Sequence, residues 1–441
     1  LPLFLGGFLA QVFDRKDGLL LEDPSIEAIQ AVRQLTLMFG KISLPCSDVR
    51  VKRAIEGYIE CEQIVRDYDA RRTEKELLEF GQISSLLWSD VLQRVDEDIY
   101  YCRLVPKHGP GATADRLKGN RKYDQREWTQ RLEKVLPSGE YLLPNWRYYR
   151  RLGSVRYLEP GAERPVRVIT VPKTLKTPRI IAVEPTCMMY AQQAILGSLL
   201  VSIGRDDNVR SLVGFDDQVP NQDLARKGSL TGSLATLDLS EASDRVSNQL
   251  VRTMLERFPH ALEGFDASRS RRADVPGHGV VRLAKFASMG SALCFPVEAM
   301  VFLTIVLLGI QDELRRPLTK KDVQSLRGRV RLFGDDIIVP TEFVRSVVSR
   351  LTAFGLKVND NKSFWTGKFR ESCGKEYFDG HDVSVVRLRE VFDPQRMDDR
   401  SCIASVSFRN QCYMAGLWGT ARYMGGVLGK ALSGAYPTVH S

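Results

Sequence analysis

The sequence lacks the clustered cysteines and histidines that hold structural zinc. It has eight Cys and five His in 441 residues, and no two cysteines form a Cys-x-x-Cys pair. This spacing excludes a zinc ribbon and a secreted disulfide scaffold, and it favours a reducing cytosol. The chain also lacks a long apolar run: the longest, residues 299–310, is too short to cross a bilayer and predicts a buried helix. We therefore expect no membrane partner.

The first residues do not form a strong targeting signal. Residues 1–13 are apolar, but no basic segment precedes them, which makes a secretory signal peptide a poor interpretation. The chain begins with Leu1 rather than Met, which favours a fragment or a processed product.

Positive charge is concentrated in one segment. The chain has 63 Lys and Arg against 54 Asp and Glu, a net charge of +9. On net charge alone, a polyanionic partner and simple solubility are equally good explanations. Residues 147–179, however, contain nine basic and two acidic residues, interleaved with or flanked by Trp146, Tyr148, Tyr149 and Tyr157. Flat aromatic side chains stack on bases, so this segment predicts a track that faces phosphates.

Apolar periodicity indicates the secondary structure and an α+β fold. Helical spacing predicts helices across residues 20–100, whereas residues 103–165 are rich in Gly, Pro and Arg and predict long loops. Residues 233–239 alternate as a short strand does. The helix after it is expected to stop at Pro259, and a second helix is expected to start near Pro296.

A β-hairpin is predicted around a Gly-Asp-Asp sequence. Residues 329–340 read RVRLFGDDIIVP, which is two apolar strands joined by a tight turn. A helix and a short strand at residues 356–358 follow. Together with the strand and helix before it, the hairpin gives the order βαββαβ, the ferredoxin-like pattern. In that fold the first and third strands are neighbours, so Asp238 is expected beside Asp335 and Asp336.

Three carboxylates that meet in this way predict a metal site. At an effective dielectric of about 20, each close pair of carboxylates costs roughly 4 kcal/mol. Mg²⁺ relieves such repulsion and prefers carboxylate and phosphate oxygens, and two ions can activate a 3′-hydroxyl and stabilise leaving pyrophosphate. We therefore predict that Asp238, Asp335 and Asp336 are catalytic and bind two Mg²⁺ ions, with Mn²⁺ as a substitute. Three other Asp-Asp pairs, at 206, 216 and 398, lack strands on both sides.

Six segments resemble the ordered motifs of viral RNA polymerases. They are residues 171–179 (motif F), 237–244 (motif A), 288–290 (motif B), 333–336 (motif C), 355–364 (motif D) and 370–378 (motif E). The amino-acid sequences of these motifs, together with KHGPG at residues 107–111, resemble those of the levivirus family, the replicases of single-stranded RNA bacteriophages. The resemblance covers roughly residues 103–390 and implies a right-hand polymerase with fingers, a βαββαβ palm and a thumb.

The resemblance also implies a division into subdomains. The implied boundaries are 1–102 for an N-terminal helical region, 103–237 for fingers with the basic track, 238–380 for the palm, and 381–441 for the thumb. A fingers insertion is expected within the palm at about residues 245–285.

The family's functional residues transfer to matching positions. Lys173, Lys176 and Arg179 are expected to grip the triphosphate, although each could be an ordinary surface cation. Asp244 is expected to recognise the ribose 2′-hydroxyl, although an acid also suits the first turn of a helix. Ser288 and Gly290 are expected to shape a loop beside the incoming base pair.

Two further positions are less decided. Lys362 is expected to protonate the leaving pyrophosphate, with Lys357 as the alternative. His108 is interpreted as a loop-ordering residue rather than an acid or base. Many viral RNA polymerases carry Asn in the motif B helix, where this chain and the RNA-phage replicases have Glu298, so sugar selection is expected to be arranged differently.

Two other functions are weighed against polymerisation of RNA. A reverse transcriptase shares the three aspartates but usually has Tyr before the paired Asp and a bulky residue after the first Asp, which this chain lacks. A non-catalytic viral RNA-binding protein would explain the charge but gains nothing from carboxylates that face phosphate. The family resemblance implies RNA template and product and ribonucleoside triphosphates as partners in the bacterial cytoplasm. It also implies that the host translation elongation factors Tu and Ts could be recruited.

Overall fold

The structure is a computed structural model that describes residues 1–143, 145–173, 177–391 and 398–432. The helices are α1 (Gly6–Leu9), α2 (Ile26–Leu37), α3 (Asp48–Arg71), α4 (Glu74–Tyr100), α5 (Gln130–Val135), α6 (Ser138–Tyr141), α7 (Thr186–Gly204), α8 (Val219–Thr231), α9 (Asn248–Leu255), α10 (Pro259–Ser268), α11 (Cys294–Leu314), α12 (Lys320–Ser325), α13 (Val344–Ala353), α14 (Asp399–Met414) and α15 (Trp418–Ala431). Short 3₁₀ helices span Gly119–Asp124, Trp146–Ser154, Ser243–Arg245 and Thr341–Phe343.

The strands are mostly short. They are β1 (Glu127–Thr129), β2 (Arg156–Leu158), β3 (Val166–Val171), β4 (Arg179–Val183), β5 (Leu234–Leu237), β6 (Leu239–Ser240), β7 (Arg272–Val275), β8 (Gly279–Arg282), β9 (Arg331–Phe333), β10 (Asp336–Pro340), β11 (Lys357–Val358), β12 (Phe369–Ser372), β13 (Lys375–Phe378) and β14 (His381–Asp382). Strand β3 pairs in parallel with β7, which forms an antiparallel hairpin with β8.

The N-terminal helices follow the predicted pattern. Helices α2, α3 and α4 occupy most of residues 20–100, as the apolar spacing predicts. Helix α4 begins with a capping box, in which the Thr73 hydroxyl accepts from the Glu76 N–H and the Glu76 carboxylate accepts from the Thr73 N–H. Its apolar face, including Phe80 and Trp88, is fully buried. The helix therefore serves as one wall of the main core.

The predicted ferredoxin-like order is confirmed. The antiparallel ladder β5-β10-β9 pairs the first strand of the pattern with the second strand of the hairpin. Directly after β5, β6 pairs antiparallel with β11. The order across the sheet is therefore β11, β5/β6, β10, β9, which is that of a split βαβ fold. All four residues of β5 are buried, so both faces of this strand are covered rather than the single face that alternation predicts.

Helix α11 lies in the core, and its start near Pro296 is confirmed. Its residues from Cys294 to Ile310 are buried except Phe295. The helix has 21 residues, longer than the apolar run, so the prediction that its length excludes a membrane span was wrong. By length and composition, α7 and α11 are both long enough to cross a membrane. The best apolar windows of α7 and α11 are 61% and 89% buried inside the protein, which is typical of core helices.

The prediction that Pro259 ends a helix was wrong. Helix α9 ends earlier, at Leu255, and Pro259 is the first residue of α10. Phe258 has φ −123° and ψ 82°, an extended conformation typical of a residue before proline. Proline suits the first helical position because its missing N–H would have no intrahelical partner there.

The described residues divide into two compact units. The larger comprises Ile55–Ile169 and Ile180–Cys373, and it contains the sheet and helix α11. The smaller comprises Leu1–Ala54, Thr170–Arg179 and Gly374–Ser441. Within the smaller unit, the Gln34 side chain donates to the Val386 carbonyl at 2.9 Å and accepts from its N–H at 3.0 Å. The boundaries of fingers, palm and thumb stay predictions, because compact units need not coincide with functional subdomains.

Candidate active site

Strand pairing brings the predicted carboxylates to one edge of the sheet. Leu237, the last residue of β5, pairs with Ile337 of β10. Asp238 directly follows Leu237, and Asp336 directly precedes Ile337. Because the two strands are antiparallel, both aspartates lie at the same end of the ladder. Asp336 pairs with Phe333, which leaves Gly334 and Asp335 as a two-residue turn.

Gly334 is the residue that the turn requires. Its φ is +60°, and a Cβ atom there would lie 2.3 Å from the Phe295 ring. Any side chain would therefore be strained by the backbone and would collide with α11. The glycine thus fixes the turn that presents Asp335.

The electrostatics show that the three carboxylates interact. Burial, reinforced by the negative charges of Asp335 and Asp238, raises the pKa of Asp336 to about 7. The Cys373 N–H donates to Asp336 Oδ2 at 3.2 Å and partly opposes this effect. A cation bound among these carboxylates would relieve their repulsion.

Asp238 has polar partners from the segment after β11. Asn359 donates its side-chain N–H to Asp238 Oδ2 at 2.9 Å. Lys362 Nζ lies 3.3 Å from Asp238 Oδ1. Burial lowers the pKa of Lys362, but the charges of Asp238 and Glu371 outweigh it and raise the pKa overall. Lys362 therefore lies beside Asp238. In the described residues no such contact involves the alternative, Lys357, which pairs with Ser240 through its backbone. The catalytic role of Lys362 stays a prediction.

The donor set fits a hard divalent cation by chemistry rather than by a preformed cage. In the part of the chain that the structure describes, no three His, Cys, Asp or Glu side chains are arranged as a ready metal site. Asp238, Asp335 and Asp336 nevertheless supply only carboxylate oxygens, the ligands that Mg²⁺ prefers. Lys362 holds one oxygen of Asp238, so it would have to move aside for an ion on that oxygen.

Asp244 has a partner that the sequence did not reveal. It lies in the 3₁₀ turn Ser243–Arg245, half-buried, and its Oδ1 accepts from Lys285 Nζ at 2.9 Å. Lys285 is fully buried. Nothing in the local sequence distinguishes this lysine from a surface one, because its partners come from distant segments.

The motif B loop is held on one side by β4. The Ala182 N–H donates to the Met289 carbonyl at 2.8 Å. Gly290 has φ +130°, and a Cβ there would lie 2.1 Å from the Ala182 carbonyl oxygen. Gln192 of α7 accepts from the Ser291 hydroxyl and from the Ala292 N–H, each at 3.1 Å. The loop is therefore anchored through its backbone.

Ser288 and Glu298 are both largely shielded from solvent. The Ser288 hydroxyl is buried and lies 2.9 Å from the Tyr58 hydroxyl. Glu298 is buried, and burial followed by the charges of Asp335 and Asp244 raises its pKa well above the usual value. This shift favours the neutral form of the carboxyl group.

The predicted triphosphate cations belong to the smaller unit. Lys173 lies after β3 and Arg179 begins β4, and both are exposed. Lys176 lies outside the described residues. The 3₁₀ helix Trp146–Ser154 exposes 81% of Trp146 and 69% of Tyr149, as a stacking track requires. The phosphate-binding roles of these residues stay predictions.

His108 is packed rather than poised for catalysis. Its ring stacks on Tyr190 at 4.4 Å between centroids and meets the Tyr123 ring edge-on at 4.5 Å. Burial, aided by the positive charge of Lys122, lowers the pKa of His108 to about 4. The imidazole is therefore neutral at pH 7, in keeping with a loop-ordering residue.

Stability should depend on pH through Glu184, a buried residue between β4 and α7. Burial raises its pKa to about 7, although Ser270, Gln192 and Arg269 oppose the shift. Between the unfolded pKa, about 4.3, and the folded pKa, the folded chain binds a proton that the unfolded chain does not, so stability falls as pH rises. Glu184→Gln removes this dependence. From pH 4.5 to 7, we expect wild type to lose about 3 kcal/mol relative to the variant.

Guanidinium unfolding between pH 4.5 and 8 measures this difference. The exposed Glu140→Gln change is the matched control and should leave the slope of wild type unchanged. Parallel curves for wild type and Glu184→Gln would contradict the prediction.

A family comparison assigns the central part of the chain. A family model described as RNA replicase, beta-chain, matches residues 162–396. The RNA-directed RNA polymerase beta chain of Enterobacteria phage fr is 39% identical over 226 residues, which cover 51% of this chain and 37% of the relative. The corresponding subunit beta of Escherichia virus Qbeta is 34% identical over 263 residues, which cover 57% and 42%. The aligned part of this chain thus spans about two fifths of the length of these curated relatives.

A solved structure shares the fold. The RNA-dependent RNA polymerase of bacteriophage phi12 aligns with 99% of this chain and 77% of its own length, at a TM-score of 0.51 and 11% sequence identity. At that identity the likeness concerns the fold alone. It confirms the right-hand polymerase architecture that the motif order implied.

Proposed function

Because this chain belongs to the RNA replicase beta-chain family, we propose that it carries the catalytic centre of an RNA-directed RNA polymerase. It joins ribonucleoside triphosphates on an RNA template and replicates the genome of a single-stranded RNA bacteriophage. The observation that carries the proposal is the pairing of β5 with β10, which places Asp238 beside Asp335 and Asp336. Burial is the main cause of the raised pKa of Asp336, and the negative charges of Asp335 and Asp238 add to it, as expected for neighbouring carboxylates.

The carboxylates hold divalent ions in this mechanism. Asp238, Asp335 and Asp336 are the residues that would hold Mg²⁺, or Mn²⁺ in its place. When bound, the ions would supply Lewis-acid chemistry for activation of a 3′-hydroxyl and departure of pyrophosphate. Lys362 carries a proton on Nζ near Asp238 and is suited to give it to the leaving group.

Other residues bind and orient the substrates. Lys173, Lys176 and Arg179 grip the triphosphate through charge-assisted hydrogen bonds. Asp244 accepts a hydrogen bond from the ribose 2′-hydroxyl. The exposed aromatic and basic side chains of residues 146–157 stack on and track the template strand.

The wider setting is inferred from family resemblance. The chain acts in the cytoplasm of a bacterial host, where the translation elongation factors Tu and Ts join it. Copurification of both factors with the tagged chain from a bacterial lysate, resistant to ribonuclease, tests this partnership.

Incorporation of labelled nucleotides tests the activity. The full chain with Mg²⁺ and an RNA template should incorporate ribonucleotides and not deoxynucleotides, and Asp335→Asn should abolish the product. Bacterial extract supplies host factors in a parallel reaction. Efficient use of deoxynucleotides would favour a reverse transcriptase instead, and RNA binding without synthesis even in extract would favour a non-catalytic RNA-binding protein.

A further inference from the structure

A buried ammonium group lies directly behind the predicted ribose-binding carboxylate. Lys285 Nζ lies 2.9 Å from Asp244 Oδ1 and 3.2 Å from Glu62 Oε1. The same nitrogen lies 3.5 Å from the centroid of the Tyr58 ring, a cation–π contact. Burial lowers the pKa of Lys285, but Asp244, Tyr58 and Glu62 outweigh burial and raise it overall. The lysine therefore stays charged in the core.

Two of these partners come from helix α3. Tyr58 and Glu62 are four residues apart and so lie on one face of the helix. Besides its ring contact with Lys285, Tyr58 places its hydroxyl 2.9 Å from the Ser288 hydroxyl. One helical face therefore contacts Ser288 directly and Asp244 through Lys285.

The side chains around Lys285 differ in their exposure to solvent: those next to α3 are buried, whereas Asp244 is partly exposed. The side chains of Lys285 and Glu62 are 0% and 6% exposed, whereas that of Asp244 is 22% exposed. Lys285 binds one oxygen of the Asp244 carboxylate from the protein interior. The rest of the carboxylate stays accessible to solvent, as a residue that binds substrate must.

We propose that Lys285, Glu62 and Tyr58 are positioning residues: they hold Asp244 for recognition of the ribose 2′-hydroxyl, and they hold Ser288 in the motif B loop beside the incoming nucleotide. This inference rests on the proposed polymerase function and adds α3 to the elements that select the sugar. A carboxylate fixed in one orientation accepts a hydrogen bond without first losing side-chain entropy. Without these contacts the Asp244 side chain would adopt several orientations. The preference of the site for ribonucleotides over deoxyribonucleotides would then be weaker.

The lysine is tested with a charge-matched double variant. Lys285→Met removes the ammonium, and Glu62→Gln in the same chain avoids leaving a second buried carboxylate unpaired. The readout is kcat/KM for ATP divided by kcat/KM for 2′-deoxy-ATP, measured with the full chain on an RNA template. We expect the ratio to fall about tenfold, mainly through slower use of ATP, because sites built to bind a substrate hydroxyl discriminate most strongly.

A second buried ion pair provides the matched control. Arg131 and Glu163 lie 2.6 Å apart with side chains 10% and 5% exposed. Arg131→Met with Glu163→Gln removes a comparable pair and should leave the ratio unchanged. A similar fall in this control would mean general loosening of the fold and would overturn the inference.

Tyr58→Phe tests the contact between Tyr58 and Ser288 without removing a charge. The ring stays over Lys285, and only the hydroxyl contact with Ser288 is lost. We expect the ratio to fall about threefold with little change in thermal unfolding, the size of one lost neutral hydrogen bond. This variant decides the matter if the double variant does not fold. Synthesis with an unchanged ratio in the folded variants overturns the inference alone, whereas no synthesis by wild type, with or without extract, overturns the proposed function and the inference with it.

Discussion

Asp238→Asn is expected to lower the rate of nucleotide incorporation by about a thousandfold, which corresponds to roughly 4 kcal/mol of transition-state stabilisation. The substitution removes one negative charge from the group that is proposed to hold two divalent ions. Asn has nearly the same shape as Asp, and its side-chain carbonyl oxygen can still accept a hydrogen bond from Asn359 or Lys362. The loss should therefore come from the charge and not from a collapsed site.

The stability of the fold should not fall with activity. Asp238 raises the pKa of Asp336 by repulsion, so its removal should leave the free energy of unfolding unchanged or slightly higher. Incorporation of labelled ribonucleotides and unfolding in guanidinium measure the two effects on the same preparation. Loss of both activity and stability would instead indicate a structural role for Asp238.

The chain contains a matched control for this experiment. Asp216 follows Gly-Phe and precedes Asp217, as Asp335 follows Phe-Gly and precedes Asp336, but it is exposed and lies in a loop. Asp216→Asn should leave the incorporation rate within about twofold of wild type, since most exposed substitutions are nearly neutral. A rate for Asp238→Asn equal to that of the control would remove the support for a catalytic carboxylate at the end of β5.

Gly290→Ala is expected to lower activity by about a hundredfold through displacement of the motif B loop. The new Cβ would lie 2.1 Å from the Ala182 carbonyl oxygen, a backbone atom of β4 that cannot rotate aside. The backbone at φ +130° is also unfavourable for any residue with a Cβ. Strain and overlap together cost about 2–4 kcal/mol. The loop relieves this cost by moving away from β4 and breaking the bond between Met289 and Ala182.

A second glycine separates overlap from backbone strain. Gly277, in the turn between β7 and β8, has φ +79°, and a Cβ atom added there would meet no heavy atom within 4 Å. Gly277→Ala should therefore show the strain alone, about 1 kcal/mol of stability, with unchanged nucleotide incorporation. If Gly290→Ala kept full activity and a wild-type KM for nucleotides, the loop would not need its contact with β4.

The carboxylate site was predictable because its signals are local. The hairpin around Gly334 and the strand that ends at Asp238 are each visible in a few residues, and the βαββαβ order then determines which strands pair. The start of α11 near Pro296 follows from the same kind of signal. The double burial of β5 was not predictable from alternation, because a single strand does not reveal what covers its second face.

The surroundings of the site depend on contacts between distant segments. Lys285 and Tyr58 are far apart in the sequence, and no periodicity connects them. Pro259 was misassigned because proline both ends and begins helices, and only the extended conformation of Phe258 distinguishes the two. The length of α11 was underestimated because polar residues at its C-terminal end extend the helix beyond its apolar run.

The smaller compact unit joins segments that precede and follow the larger unit in the sequence, and this affects how the protein folds during synthesis. Gln34 bonds to Val386, a residue made 352 positions later. At roughly 5–20 residues per second, translation separates the two by about 20–70 s. The larger unit, whose described segments end at Cys373, can pack first. Helix α2 can form its bonds to Val383 and Val386 only after those later residues have been synthesised.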